Sequence, residues 1–124
     1  MQFDKDINSE HSKLFLEVRN FMLENIDDVK EQYRENMTSY KTKLGMYCYL
    51  KVKDDYIHIG WGRGARLEDK CNILLGDGSI VRGQKIYSFD KQIKKILKDF
   101  INQTTIILIE HDEMKKLRKI MKNG

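Results

Sequence analysis

The sequence predicts an α+β domain in two layers, with N-terminal and C-terminal helices packed on one antiparallel β-sheet. Three observations carry this. Apolar residues recur at helical spacing near both ends. Between about Val29 and Ser88 they alternate with period two instead. Glycine is confined to the middle: of eight glycines, seven lie between Gly45 and Gly83, and with no proline the turns fall to Gly, Asn and Asp.

The first helix runs from Ser9 to about Asn25. Leu14, Phe15, Val18, Phe21 and Met22 share one arc of roughly 120°. Ser9 or Asn8 caps its start, with Glu10 in the first turn. His11 falls on the same apolar arc, as a helix-end histidine at the margin of the core. Glu10, Glu17 and Glu24 are spaced by seven along one edge, and Asp27 and Asp28 follow. This row reads first as the wet border of an amphipathic helix and second as a loose site for a hard cation.

Four strands follow. Val29–Glu35 is polar, so it belongs at an edge. Met46–Lys53 places Met46, Cys48, Leu50 and Val52 on one face and Tyr47, Tyr49, Lys51 and Lys53 on the other. Lys53–Asp55 is a turn into Tyr56–Trp61, where Ile57 and Ile59 oppose Tyr56, His58 and Gly60. Gly76-Asp77-Gly78 is another turn, and Ile80–Phe89 is the last strand. Tight connections without intervening helices make the sheet antiparallel.

The C-terminal helix is capped within Ser88–Asp90. Ile93, Ile96, Leu97 and Phe100 share one side, and Lys91, Lys94, Lys95 and Lys98 the other, a solvated face. Asn102–Thr105 is expected to interrupt it, with Ile106–Ile109 assigned to helix. Asp112–Lys122 is basic and amphipathic through Met114, Leu117 and Met121, either a final helix docked on the sheet or a frayed end. The expectation is one domain over residues 1–124, with a core over about 9–103 and a basic helical tail over about 111–124.

Composition narrows the function classes. The net charge of +4 permits an anionic partner without requiring one. Cys48 and Cys71 fit no zinc spacing. The N-terminus lacks a signal-peptide h-region, and no apolar run approaches the ~20 residues of a membrane span. A cytoplasmic protein with reduced thiols and no membrane partner is expected.

The chemical motifs are mostly negative. Gly60-x-Gly62-x-x-Ala65 formally matches a dinucleotide fingerprint. It lies in an antiparallel meander, however, and no acid stands about 20 residues on. No Gly-Lys-Ser/Thr follows for a phosphate loop. His58 and His111 have no Ser or Cys partner at motif spacing, and His58 beside Asp54 and Asp55 is a thin metal candidate. Cys48 alternates with Met46 and Leu50, which predicts a buried, inert thiol; Cys71 is expected in an exposed turn. A non-enzymatic binding protein is the expectation. Trp61, Arg63, Arg66, Tyr47, Tyr49, Lys51, Lys53, Arg82 and Lys85 would make an aromatic and cationic sheet face, the composition that single-stranded nucleic acid needs. An RNP-type signature is missing, so nucleic acid ranks below other anions.

The middle of the chain resembles the YdhG-like family, a bacterial domain family. Its pattern of hydrophobic-x-hydrophobic-Gly-aromatic-x-Arg-Gly-Ala-x-Leu-x-Asp reads here as Ile57-His58-Ile59-Gly60-Trp61-Gly62-Arg63-Gly64-Ala65-Arg66-Leu67-Glu68-Asp69. A second block, Leu-Leu-x-Gly-x-Gly and a basic pair three apart, reads Ile73-Leu74-Leu75-Gly76-Asp77-Gly78 with Arg82 and Lys85, then Ile86. The family's Gly-Met-Pro-x-Tyr element is Asn36-Met37-Thr38-Ser39-Tyr40 here, and a lysine usual after the second glycine is Ser79. The resemblance implies an α+β fold with an antiparallel sheet. One branch is described as intracellular, frataxin-like iron chaperones. For iron, the nearest match is the row Glu10, Glu17, Glu24, Asp27 and Asp28.

The expected site is a groove beside Trp61 and Arg63, with Arg82 and Lys85 approaching from the last strand. It suits a small anionic ligand or the acidic segment of a protein partner. The alternative role for Arg63 is to pin its own loop. No cofactor is expected unless iron is carried.

Overall fold

The computed structural model describes residues 1–123 and has the expected two-layer α+β architecture. A five-stranded antiparallel sheet runs in the order β1 (Lys30–Tyr33), β2 (Thr38–Thr42), β3 (Gly45–Lys53), β4 (Tyr56–Trp61) and β5 (Arg82–Ile86). Helices α1 (Gln2–Ile7), α2 (Ser12–Asn25) and α3 (Lys91–Asn123) supply the second layer. A 3-10 turn, Gly64–Arg66, follows β4.

Several elements differ from expectation. The strand β2 was not foreseen: its core-facing residues Thr38 and Tyr40 are mostly polar, yet both are fully buried. The short helix α1 was missed too. Ser9 does not cap α2; its hydroxyl donates to the Asp6 carbonyl and accepts from the His11 amide, shaping the turn between α1 and α2. The last strand is shorter than Ile80–Phe89, and Ile80, Val81 and Tyr87 are exposed. The interruption at Asn102–Thr105 does not occur, and α3 is one helix of 33 residues. Thr105 Oγ1 bonds back to the Ile101 carbonyl, and burial of Ile101, Thr104 and Leu108 against the core carries the helix through both threonines. The start of α3 matches expectation: Asp90 Oδ1 accepts the Ile93 amide at 2.9 Å.

One face of the sheet is covered by the helices. Cys48 and Leu50 of β3, Ile57, Ile59 and Trp61 of β4, and Gln84 and Ile86 of β5 lie there. They meet Phe15, Val18 and Met22 of α2 and Leu97, Phe100, Ile101 and Leu108 of α3. Several polar groups on this side are paired, while Asp6 Oδ2, Thr38 Oγ1, Arg82 Nη1 and Thr104 Oγ1 are buried without a partner. Glu31 accepts from Arg19 Nε and Nη2 at 2.8 Å each, from Tyr33 Oη at 2.7 Å and from Tyr40 Oη at 2.8 Å. Burial alone would raise its pKa, but those donors outweigh it and hold the carboxylate low. Asp6 Oδ1 accepts the Val52 amide at 3.1 Å, a ladder donor beyond the end of β2, whose first residue Thr38 pairs with Leu50. Burial raises the Asp6 pKa against these bonds.

Tyr47 is a correction with a clear cause. Strict alternation sends it to the outer face. In the β2–β3 ladder Tyr40 pairs with Cys48 and Lys41 with Met46, so Tyr47 is the extra residue of a bulge. The bulge turns its ring inward, where it is buried and its hydroxyl lies 2.7 Å from Thr105 Oγ1 on α3.

Candidate functional site

The other face of the sheet carries no helix. Register fixes which side chains share it. One row across all five strands is Gln32, Ser39, Tyr49, Gly60 and Gly83. The next row is Lys51, His58 and Lys85. Lys30 pairs with Lys41 on the far strands, and Lys53 with Tyr56 by the β3–β4 turn. No carboxylate occupies this face of any strand. Among the described residues no ion pair engages Lys30, Lys41, Lys51, Lys53 or Lys85.

Two glycines let aromatic rings lie flat on the sheet. A Cβ on Gly60 would collide with the ring of Tyr49 and stand 2.6 Å from its hydroxyl. A Cβ on Gly83 would stand 2.9 Å from His58 Cε1. The Tyr49 and His58 rings are 5.7 Å apart and tilted by 45°. Beside them Lys85 Nζ sits 4.9 Å from the centre of the Tyr56 ring, itself 5.5 Å from Tyr87. Partial burial, then Lys53, Lys51 and Lys85, push the His58 imidazole below its ordinary pKa. It is therefore neutral at pH 7 and surrounded by three cations.

The expected groove does not assemble. Trp61 is wholly buried, its ring 5.5 Å from Phe100 in an edge contact and its Nε1 donating to Gln84 Oε1 at 2.9 Å. It offers no ring face to a ligand. Arg82 pairs with Trp61 on the helix-covered face, with Nη1 buried and without a hydrogen-bond partner. Lys85 is three residues on and so points to the opposite face. Arg63 precedes the 3-10 turn and lies with Arg66 near α3. There the His111 pKa is lowered, by slight desolvation first and then by Arg63, Lys115, Arg118 and Arg66. The loop is pinned chiefly through backbone, Ala65 N donating to the Ile80 carbonyl at 2.9 Å.

The carboxylate row also stays apart. Glu10, Glu17, Glu24, Asp27 and Asp28 are all exposed. Among the described residues no three His, Cys, Asp or Glu side chains are grouped to hold a metal ion. The thiols match expectation: Cys48 is buried, which pushes its pKa up, and Cys71 is exposed. Cys71 lies at an open groove of about 700 Å³ between residues 68–71 and α3, with Ile96 and Phe100 in its lining. No helix among the described residues is long and apolar enough to cross a membrane.

Sequence reasoning named Tyr49, Lys51, Lys53 and Lys85 for an aromatic and cationic face, but mixed them with residues of the other side. It missed His58 as the centre of that face, although its alternation with Ile57 and Ile59 was the available signal. Lys30 and Lys41 required knowledge of β2. In comparisons with known proteins, no family model, no curated protein and no solved structure matches the chain.

Proposed function

We propose that this chain is a YdhG-like, non-enzymatic binding domain that takes a small anionic ligand on the uncovered sheet face. The observation that carries it is the convergence of Lys51, Lys53 and Lys85 on the neighbouring rings of neutral His58 and Tyr49, with no carboxylate on that face. Lysines supply charge, and the half-buried Tyr49 and His58 rings supply aromatic surface for stacking. The matching chemistry is a phosphate or carboxylate joined to a planar ring, as in a nucleotide, free or within a single strand. Charges across the sheet from Lys85 to Lys30 would span about 19 Å, four strand spacings.

The test is a titration of isotope-labelled protein followed by amide shifts, with a mononucleotide, a short single-stranded oligonucleotide, inorganic phosphate and ferrous iron as separate probes. The proposal expects nucleotide-induced shifts centred on Tyr49, His58 and Lys85. It also expects affinity to fall with salt and to be lost in Lys51→Glu/Lys85→Glu. Tyr49→Ala should weaken nucleotide binding by about 1–3 kcal/mol and leave phosphate binding unchanged. A tighter oligonucleotide response would extend the ligand along the face. Shifts confined to Glu10–Asp28 with ferrous iron, and silence elsewhere, would replace this reading with iron carriage.

A further inference from the structure

We propose that the C-terminal half of α3 is a self-association element, in which two copies of this chain pair their α3 helices antiparallel about a two-fold axis near residues 113 and 114. This inference is independent of the ligand proposed above.

The helix changes its character along its length. From Leu97 to Leu108 one face packs on the core, through Leu97, Phe100, Ile101, Thr104, Ile107 and Leu108. At about 100° per residue, His111, Lys115, Arg118 and Lys122 continue that face, and all are polar or cationic. The apolar residues move to the opposite side. Ile106, Ile109, Met114, Leu117, Ile120 and Met121 form a stripe that faces away from the domain, and all are exposed, Ile120 by 68% and Met121 by 72%. Beyond Leu108 the helix has no buried residue, and from Glu113 to Asn123 every residue is exposed, so about 11 residues stand without packing, too short to be a stable helix alone in water.

Charge order selects the occupant. Glu110, Asp112 and Glu113 form an acidic first half, and Lys115, Lys116, Arg118, Lys119 and Lys122 a basic second half. Antiparallel pairing brings each acidic half against the partner's basic half, and Ile106 level with the partner's Met121. Glu110 and Glu113 sit within the apolar stripe itself. In the pair they come beside the partner's Arg118 and the partner's Lys116. An anionic lipid surface or an acidic protein groove would instead meet those two carboxylates with like charge. A two-fold arrangement is closed and self-complementary, which limits association to a dimer.

The experiment is sedimentation velocity on the full chain from about 1 to about 500 µM, the range in which a modest helical interface associates. A monomer–dimer equilibrium is expected. Leu117→Glu/Ile120→Glu should abolish it while the Trp61 emission of the folded domain stays unchanged, since both positions are exposed. Orientation is read by cross-linking in a Cys71→Ser background. Met114→Cys, near the axis, should oxidise to a covalent dimer. Met121→Cys should not, because antiparallel pairing holds its two copies about 22 Å apart along the axis. Phosphatidylserine vesicles serve as the competing probe. A chain that stays monomeric throughout overturns the proposal, as does cross-linking through Met121→Cys. A monomer that binds the vesicles through the same stripe assigns it to lipid instead.

Discussion

Gly64→Ala tests whether the glycines after β4 serve close packing or backbone freedom. In the structure a Cβ on Gly64 would lie 2.6 Å from the Arg82 amide nitrogen and 2.9 Å from Arg82 Cα. These atoms belong to the first residue of β5, which pairs with Trp61, so they cannot yield without moving the strand. Overpacking of this kind costs about 3 kcal/mol. For a domain of this size that lowers Tm by about 10 °C. Gly60→Ala is the control. The atoms nearest its added methyl all belong to the outer end of the Tyr49 side chain, which can swing into solvent. Alanine also reduces the freedom of the unfolded chain there by about 0.5 kcal/mol, so Gly60→Ala should cost under 1 kcal/mol. Trp61 is the single tryptophan and wholly buried, so its emission in urea reports global unfolding for both variants. Equal loss in the two variants, or a larger loss for Gly60→Ala, would refute the reasoning.

Three further outcomes are expected. Gln84→Met keeps the volume but strands the buried indole donor of Trp61, and should cost about 1–3 kcal/mol in urea unfolding; a neutral result would mean that the bond is dispensable. Glu31→Gln should destabilise by about 2 kcal/mol at pH 7, because Arg19 and two tyrosine hydroxyls lose a charged acceptor. The folded pKa of Glu31 is depressed, so its contribution is fully present above the unfolded carboxylate value and lost as pH falls through the lower folded value. The variant's deficit should therefore shrink in acid, measured by urea midpoints against pH. A thiol reagent should label Cys71 at once and Cys48 only at the rate of unfolding, and simultaneous labelling of both would contradict the burial of Cys48.

The glycine run of residues 60–64 shows where reading by pattern reached its limit. Alternate glycines after a strand suggest a bend or bulge, and neither Gly60, Gly62 nor Gly64 has a positive φ. Each instead admits a neighbour distant in sequence: the Tyr49 ring over Gly60, the Met46 carbonyl 3.0 Å from a Cβ on Gly62, and the Arg82 backbone at Gly64. Left-handed glycines occur elsewhere, at Gly45 and Gly76. Trp61 illustrates the same gap. An aromatic two residues before an arginine reads as a contact surface, but its position in the alternation with Ile57 and Ile59 already placed it on the core side. The partner that makes burial of its N–H tolerable, Gln84, lies 23 residues away.

Local periodicity is enough to set the two-layer α+β class, the apolar arcs of α2 and the first half of α3, the β3–β4 hairpin and the inert thiol of Cys48. All of these follow from side chains at most a few residues apart, where helical and pleated repeats differ in phase. Long-range contacts decide the rest. A polar segment becomes β2 because Tyr40 finds Glu31 and Arg19, and α3 continues through Thr104 and Thr105 because the helix packs on the start of β3. Tyr47 turns inward at a bulge created by the register with β2. The candidate face exists only because three strands line up Lys51, His58 and Lys85 in one row, and register across a sheet depends on pairing partners that no local window contains.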